Sequence, residues 1–125
     1  MACRFSELVV DCRDPETLAA FWAAVLDYRV LSREDGAVET GPEAGFGGPA
    51  PTLVFGPVPE PTPGKVRLHI DLNPTDRDQD AELERLLDLG ATRADVGQTG
   101  EEGWHVLADP EGNEFCLLKR RLDPM

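Results

Sequence analysis

Three polar side chains alternate along one short stretch of the chain and could do chemistry together. In residues 67–72, RLHIDL, a cation, an imidazole and a carboxylate occupy every second position. Successive side chains of a β-strand point to opposite faces, so the pattern predicts a half-buried strand with Arg67, His69 and Asp71 on one face. An imidazole exchanges protons near neutral pH, and a neighbouring carboxylate can orient it. His69 is therefore the candidate catalytic residue.

A second alternating segment lies near the N-terminus and leads into a helix. Residues 5–12, FSELVVDC, place Glu7 on one face and Leu8 and Val10 on the other, which again predicts a strand. Asp14-Pro15 then predicts the start of a helix, with Asp14 as the N-cap. An apolar stripe of helical spacing follows and indicates a helix that faces a core; its members are Leu18, Phe21, Trp22, Val25 and Leu26.

The pattern of strand, helix and three further strands occurs twice along the chain. When the first half of the sequence is aligned with the second so that Glu7 matches His69, Phe21 matches Leu83 and Val25 matches Leu87. Because few residues are identical between the halves, the repeat is one of pattern. We expect an α+β fold of two βαβββ modules whose sheets form an open, curved, barrel-like concave site with the helices outside. One domain, 1–125, would contain module one at about 4–57, a proline-rich connector at 57–65 and module two at 66–120.

Composition narrows the range of partners. The formal net charge of −12 disfavours nucleic acids and anionic membranes, because both would be repelled. The sequence has no apolar run of membrane-spanning length and no signal-peptide pattern, so we expect a cytoplasmic protein. Its three cysteines include no C-x-x-C pair, which argues against a disulfide framework and against a structural zinc knuckle.

Several motifs in this order resemble the vicinal oxygen chelate superfamily, which includes glyoxalases, fosfomycin and bleomycin resistance proteins and extradiol dioxygenases. Residues 21–28 are similar to its F-[YW]-x-x-x-L-G-[FY] motif, and His69, the Leu89-Gly90-Ala91 segment and the DPEGN turn at 109–113 follow. The nearest likeness is to small bacterial glyoxalase-like proteins. The resemblance implies paired βαβββ modules that enclose one concave site. A homodimer joined along sheet edges is one alternative for the assembly of the chain.

The resemblance also implies where a metal ion would bind. Metal-dependent members take one ligand from each of four inward positions, which fall here on Glu7, the fourth strand, His69 and Cys116. Glu7 and His69 are chemically competent ligands. The fourth strand, Leu53-Val54-Phe55, offers no carboxylate, and Cys116 stands where the family has a glutamate. A divalent metal ion is therefore an alternative that the sequence disfavours, and we expect no cofactor.

Three interpretations of Glu7, His69 and Cys116 remain open. They could hold a metal ion with water as a further ligand. Cys116 could be a nucleophile activated by His69, although an acidic chain gives a thiolate little support. In the third interpretation the residues bind or protonate an organic ligand without metal. The same contacts would also suit an internal polar network that has no chemistry.

Alternation along the last strand completes the predicted ligand-binding set. If Cys116 faces inward, Glu114 does too, and Phe115 and Leu117 belong to the core. Trp104 is a candidate for the floor of the pocket. The complete set is Glu7, Arg67, His69, Asp71, Trp104, Glu114 and Cys116.

These observations predict a glyoxalase-like protein that binds a small organic molecule in a pocket of the concave sheet. One hypothesis is a lyase or isomerase. The alternatives are a binding protein that sequesters a drug, as in bleomycin resistance, and a dimeric module with a vestigial pocket.

Overall fold

The computed structural model describes residues 2–61, 67–94 and 102–125, which fall into two compact units with a boundary between residues 62 and 63. Both units are βαβββ modules, as the repeat predicted. The protein therefore has an α+β fold that contains two four-stranded sheets and two helices among the described residues. Neither of these helices has the length and apolar content needed to cross a lipid bilayer.

The first unit has one helix and one sheet. Its strands lie in the order β1-β4-β3-β2, with β1 parallel to β4 and the other pairs antiparallel. The elements are β1 (Glu7–Cys12), α1 (Pro15–Leu26), β2 (Arg29–Glu34), β3 (Ala37–Gly41) and β4 (Thr52–Pro57).

Helix α1 begins and packs as its sequence predicts. The Asp14 carboxylate accepts hydrogen bonds from the Thr17 backbone N–H at 3.2 Å and from the Thr17 hydroxyl at 2.6 Å, which confirms the N-cap. Phe21 and Trp22 are buried and meet edge to face, with their ring centroids 5.3 Å apart. The helix packs on β3 and β4, where Phe55 is fully buried.

The second unit repeats this order with shorter strands. Its sheet runs β5-β8-β7-β6, with β5 parallel to β8 and the other pairs antiparallel. The elements are β5 (Ile70–Leu72), α2 (Gln79–Leu89), β6 (Thr92–Arg93), β7 (His105–Ala108) and β8 (Glu114–Leu117). Gly90 is the C-cap of α2, at a φ of 124° that favours glycine.

The predicted strand at 67–72 is wrong in its first half. Only Ile70–Leu72 forms β5, whereas Arg67 lies in a bend and Leu68 is 80% exposed rather than buried. The parallel register pairs Ile70 with Phe115, so Leu68 would have to pair with Asn113. Asn113 is held instead in the turn at 109–113, where its backbone N–H donates to the buried Asp109 carboxylate at 2.9 Å. Because β8 begins only after this turn, at Glu114, Leu68 has no strand residue to pair with, and β5 does not extend to it.

Two other predicted segments are only partly described. The sequence at 91–96 is strand-like; the structure assigns Thr92–Arg93 to β6, and residues 95 and 96 lie outside the described ranges. Residues 98–103 are polar and typical of a turn. Most of them, and the end of the proline-rich connector predicted at 57–65, also lie outside the described ranges.

Candidate functional site

Each sheet has a buried face and a second face, which we call its open face. In the second sheet, Phe115 and Leu117 are buried, and the residues between them point the other way. The register pairs Asp71 with Cys116 and Cys116 with Val106. These three side chains therefore form a row across the open face, as the alternation of the last strand predicted for Cys116.

Three reactive side chains converge at one end of this row. His69 directly precedes β5, and its Nε2 lies 3.1 Å from Asp71 Oδ1. One ligand atom of His69, one of Asp71 and the Cys116 Sγ all lie within 4.8 Å of one another. We call these three residues the 69–71–116 cluster. The side chains of His69 and Asp71 are about half exposed, and Cys116 is half-buried, so small molecules in solvent can reach the cluster.

The surroundings of Cys116 keep its sulfur protonated. Partial burial raises the pKa of the thiol, and the negative charges of Asp71 and Glu114 and a hydrogen bond to Asp71 raise it further. Nucleophilic cysteines need the opposite setting, in which nearby positive charge stabilises the thiolate. This environment argues against the hypothesis that Cys116 is a nucleophile activated by His69.

Asp71 is the centre of the cluster. Its Oδ1 lies 3.1 Å from Nε2 of the His69 imidazole, and its carboxylate also raises the pKa of the Cys116 thiol. When the ring proton of a neutral imidazole is on Nε2, facing this carboxylate, Nδ1 keeps its lone pair available. The arrangement can therefore accept a proton at Nδ1 of His69, while Asp71 holds the ring in position.

Three other members of the predicted set occupy different positions in the second unit. Glu114 begins β8 on the same face as Cys116 and is close enough for its charge to act on that thiol. Arg67 is exposed in the bend before His69. The sequence at 104–108 is strand-like from Trp104 onward, but Trp104 is 47% exposed in a bend, and β7 begins one residue later, at His105.

Glu7 belongs to the first unit and has a different environment. It begins β1 opposite Thr52, whose hydroxyl donates to Glu7 Oε2 at 3.2 Å. The next pair on this open face is Val9 with Val54, and neither can bind a metal ion. Glu7 thus has a hydroxyl partner in its own sheet, whereas His69 has a carboxylate and a thiol.

From the sequence, Glu7, His69 and Cys116 were the candidate metal ligands, and Asp71 was expected to orient His69 and to bind an organic ligand. In the structure Asp71, rather than Glu7, joins His69 and Cys116 in a group that could hold a metal ion. The spacing of two residues between His69 and Asp71 was the available signal, because it is typical of neighbours on one face of an extended chain. The pairing of Asp71 with Cys116 depends on the register between two distant strands.

Nearly the whole chain is similar to proteins of one family. The model of the glyoxalase-like domain family matches residues 7–118. No curated protein matches the chain. Among solved structures, a glyoxalase/bleomycin resistance protein/dioxygenase family enzyme from Burkholderia phytofirmans has a TM-score of 0.69 at 17% identity, over 92% of this chain and 97% of that one.

Two fosfomycin resistance proteins are similar at the level of the fold. The protein FosX from Listeria monocytogenes has a TM-score of 0.71 at 16% identity, over 98% of this chain and 94% of its own. FosX from Mesorhizobium loti has a TM-score of 0.67 at 18% identity, over 94% of this chain and 92% of its own. At these identities the likeness shows a shared fold.

Proposed function

Since the chain belongs to the glyoxalase-like domain family of the vicinal oxygen chelate superfamily, we propose that it binds a small organic molecule on the open face of its second sheet. The observation that carries this proposal is the convergence of His69, Asp71 and Cys116 within 4.8 Å. Three different polar groups at one accessible place provide a base, a group that orients it and a weak hydrogen-bond donor.

The charge around the cluster selects the class of ligand. Asp71 and Glu114 are both close to Cys116, and the chain has a net charge of −12. An anionic ligand would meet repulsion from these groups. A small uncharged carbonyl compound with a hydroxyl group next to the carbonyl meets none, and it can form hydrogen bonds with the cluster.

The chemistry that suits this cluster is proton transfer next to a carbonyl group. The Nδ1 of His69 accepts the proton as the C–H bond breaks, and the electron pair moves into an enediolate. Return of the proton to the neighbouring carbon, with transfer of the hydroxyl proton to the oxygen on that carbon, gives the isomer, and its return to the same carbon regenerates the substrate. Asp71 stabilises the imidazolium that forms between the two steps. The protein would then act as an isomerase.

Deuterium exchange tests this proposal with dihydroxyacetone, an uncharged α-hydroxy ketone, as the probe. The full chain is incubated with it in D₂O containing EDTA, and NMR follows exchange at carbon. We expect exchange faster than in buffer, with a loss on the order of 100-fold in His69→Gln, since a positioned general base contributes about 10²–10⁴ in rate.

The second histidine of the chain supplies a matched control. His105 pairs with Leu117 and shares the buried side of the same sheet, so His105→Gln should retain the exchange rate. Exchange no faster than in buffer would contradict the proposal. So would a His69→Gln variant as active as the unsubstituted protein, provided that circular dichroism shows both to be folded.

A second candidate function is sequestration of a drug without turnover, and the first sheet favours it. Val9 is 58% exposed on that open face and pairs with the partly exposed Val54, so the face offers apolar contact area without reactive groups. Calorimetric titration with bleomycin, followed by mass spectrometry of the drug, tests this function. Saturable binding of unmodified drug that Val9→Asp weakens would support sequestration, and absence of binding would exclude it for this drug.

A further inference from the structure

We infer that the 69–71–116 cluster is a zinc-selective cation site contained within the second unit. The inference rests on the proposed function only for the location of the site. Its test uses the metal ion alone, so that zinc binding and catalysis of exchange can succeed or fail separately.

The distances between the three groups allow them to bind one metal ion together. Their ligand atoms lie within 4.8 Å of one another, and His69 Nε2 and Asp71 Oδ1 are 3.1 Å apart. Around tetrahedral zinc, bonds of about 2.0–2.3 Å place neighbouring ligand atoms roughly 3.3–3.8 Å apart. The half-exposed side chains of His69 and Asp71 need only small rotations to reach this spacing. Three protein ligands would leave a fourth position for water or substrate.

The chemistry of the donors selects the metal. The cluster offers one nitrogen, one carboxylate oxygen and one sulfur, whose proton a bound zinc ion would displace. A cysteine sulfur favours zinc over magnesium or manganese, which prefer oxygen ligands. The carboxylate of Glu114 begins the same strand as Cys116 and adds negative charge beside the cluster. A cation is therefore favoured there on electrostatic grounds as well.

This donor set differs from the pattern that the family resemblance implies. The position on the fourth strand, which should supply a ligand from the first unit, lies in the Val9–Val54 region and is apolar. Asp71, which is not one of the four family positions, adds a ligand from the strand that His69 precedes. The chain thus lacks one family ligand and gains another in the second unit, and Cys116 changes an oxygen ligand into sulfur.

Cobalt(II) titration of the full chain tests the inference, because a cobalt–thiolate bond gives a charge-transfer absorption that other ligands do not. We expect one equivalent of Co²⁺ to produce this band and Zn²⁺, but not excess Mg²⁺, to abolish it. Cys116→Ser should remove the band, and Asp71→Asn should weaken binding by at least about 10-fold. The exposed Cys3 gives the matched control: Cys3→Ser should retain both the band and the affinity.

Two further measurements keep the test decisive. Glu7→Gln should leave the Co²⁺ affinity unchanged, and loss of binding in that variant would overturn the assignment to the second unit. Zn²⁺ should protect Cys116 of the unsubstituted protein from iodoacetamide, as read by mass spectrometry, which requires no variant to fold. Absence of the band, a band that survives Cys116→Ser, or no protection by Zn²⁺ would each overturn the inference.

Discussion

The two sheets share their topology and register, but their open faces differ in chemistry. In each, the first strand is parallel to the fourth; Val9 pairs with Val54 in one sheet, and Asp71 pairs with Cys116 at the corresponding place in the other. Two apolar side chains thus correspond to a carboxylate and a thiol. The repeated fold therefore does not fix the chemistry of its open face.

The buried faces show why the fold tolerates this difference. Leu53 and Phe55 are buried in the first sheet, and Phe115 and Leu117 are buried in the second. Since successive side chains of a strand point to opposite faces, each module can keep an apolar core while the residues between change freely. Core packing and open-face chemistry thus fall on alternate residues of the same strands.

The largest expected effect tests this separation directly. Phe55 is fully buried, so Phe55→Ala should lower the free energy of unfolding by about 3–5 kcal/mol. Its neighbour Val54 lies on the open face, and Val54→Ala should cost less than about 1 kcal/mol, as is usual for a site outside the core. Urea denaturation measures both values. Similar costs for the two variants would contradict the division between faces.

The next prediction converts one open face into the other. The double substitution Val9→Asp with Val54→Cys gives the first sheet a carboxylate and a thiol beside Glu7. We expect a second equivalent of Co²⁺ to bind, with an affinity at least about 10-fold above that of the unsubstituted first unit, since ligand type and spacing determine affinity. The thiolate charge-transfer absorption should double. If the double variant still bound only one equivalent of Co²⁺, metal binding on the open face of the second sheet would depend on more than these two positions.

A smaller effect concerns the polar contact of the first open face. The Thr52 hydroxyl is buried and donates to Glu7 Oε2 at 3.2 Å. Thr52→Val should lower the free energy of unfolding by about 1 kcal/mol, the usual net value of such a hydrogen bond. Glu7→Gln retains an acceptor oxygen and should cost less. If Thr52→Val left the stability unchanged, the Glu7 contact would have no structural role.

The smallest effect is a pH dependence that only the second sheet should show. Burial and the nearby carboxylates raise the pKa of the Cys116 thiol above its ordinary value of 9.0, so the folded state binds this proton more tightly than the unfolded state. The stabilisation is complete below that value and is lost as pH rises through the higher pKa of the folded state. Cys116→Ser should reduce the loss of stability at alkaline pH, and Cys3→Ser should not. Denaturation under reducing conditions from pH 8 to 11 measures this difference.

Local patterns in the sequence predicted much of the fold. Alternation placed Glu7 and Leu8 on opposite faces of a strand, and Asp14 is the N-cap of its helix as predicted. The error at Leu68 has a nonlocal cause, because the length of β5 depends on where β8 begins after the distant turn at 109–113.

The candidate site shows the same limit. Sequence alone indicated His69, and the family resemblance indicated Cys116, but the contact between Asp71 and Cys116 depends on strand pairing across 45 residues. The homodimer and the cytoplasmic location stay predictions, and light scattering after size-exclusion chromatography checks the first.

Amide chemical shifts test the central claim, that the open face of the second sheet is the functional one. The ¹⁵N-labelled full chain is titrated with dihydroxyacetone in the presence of EDTA, and ¹H–¹⁵N correlation spectra are recorded. We expect saturable shifts in β5 and β8, centred on Asp71 and Cys116, with Val9 and Val54 unchanged. Shifts centred on β1 and β4, or none at all, would contradict it.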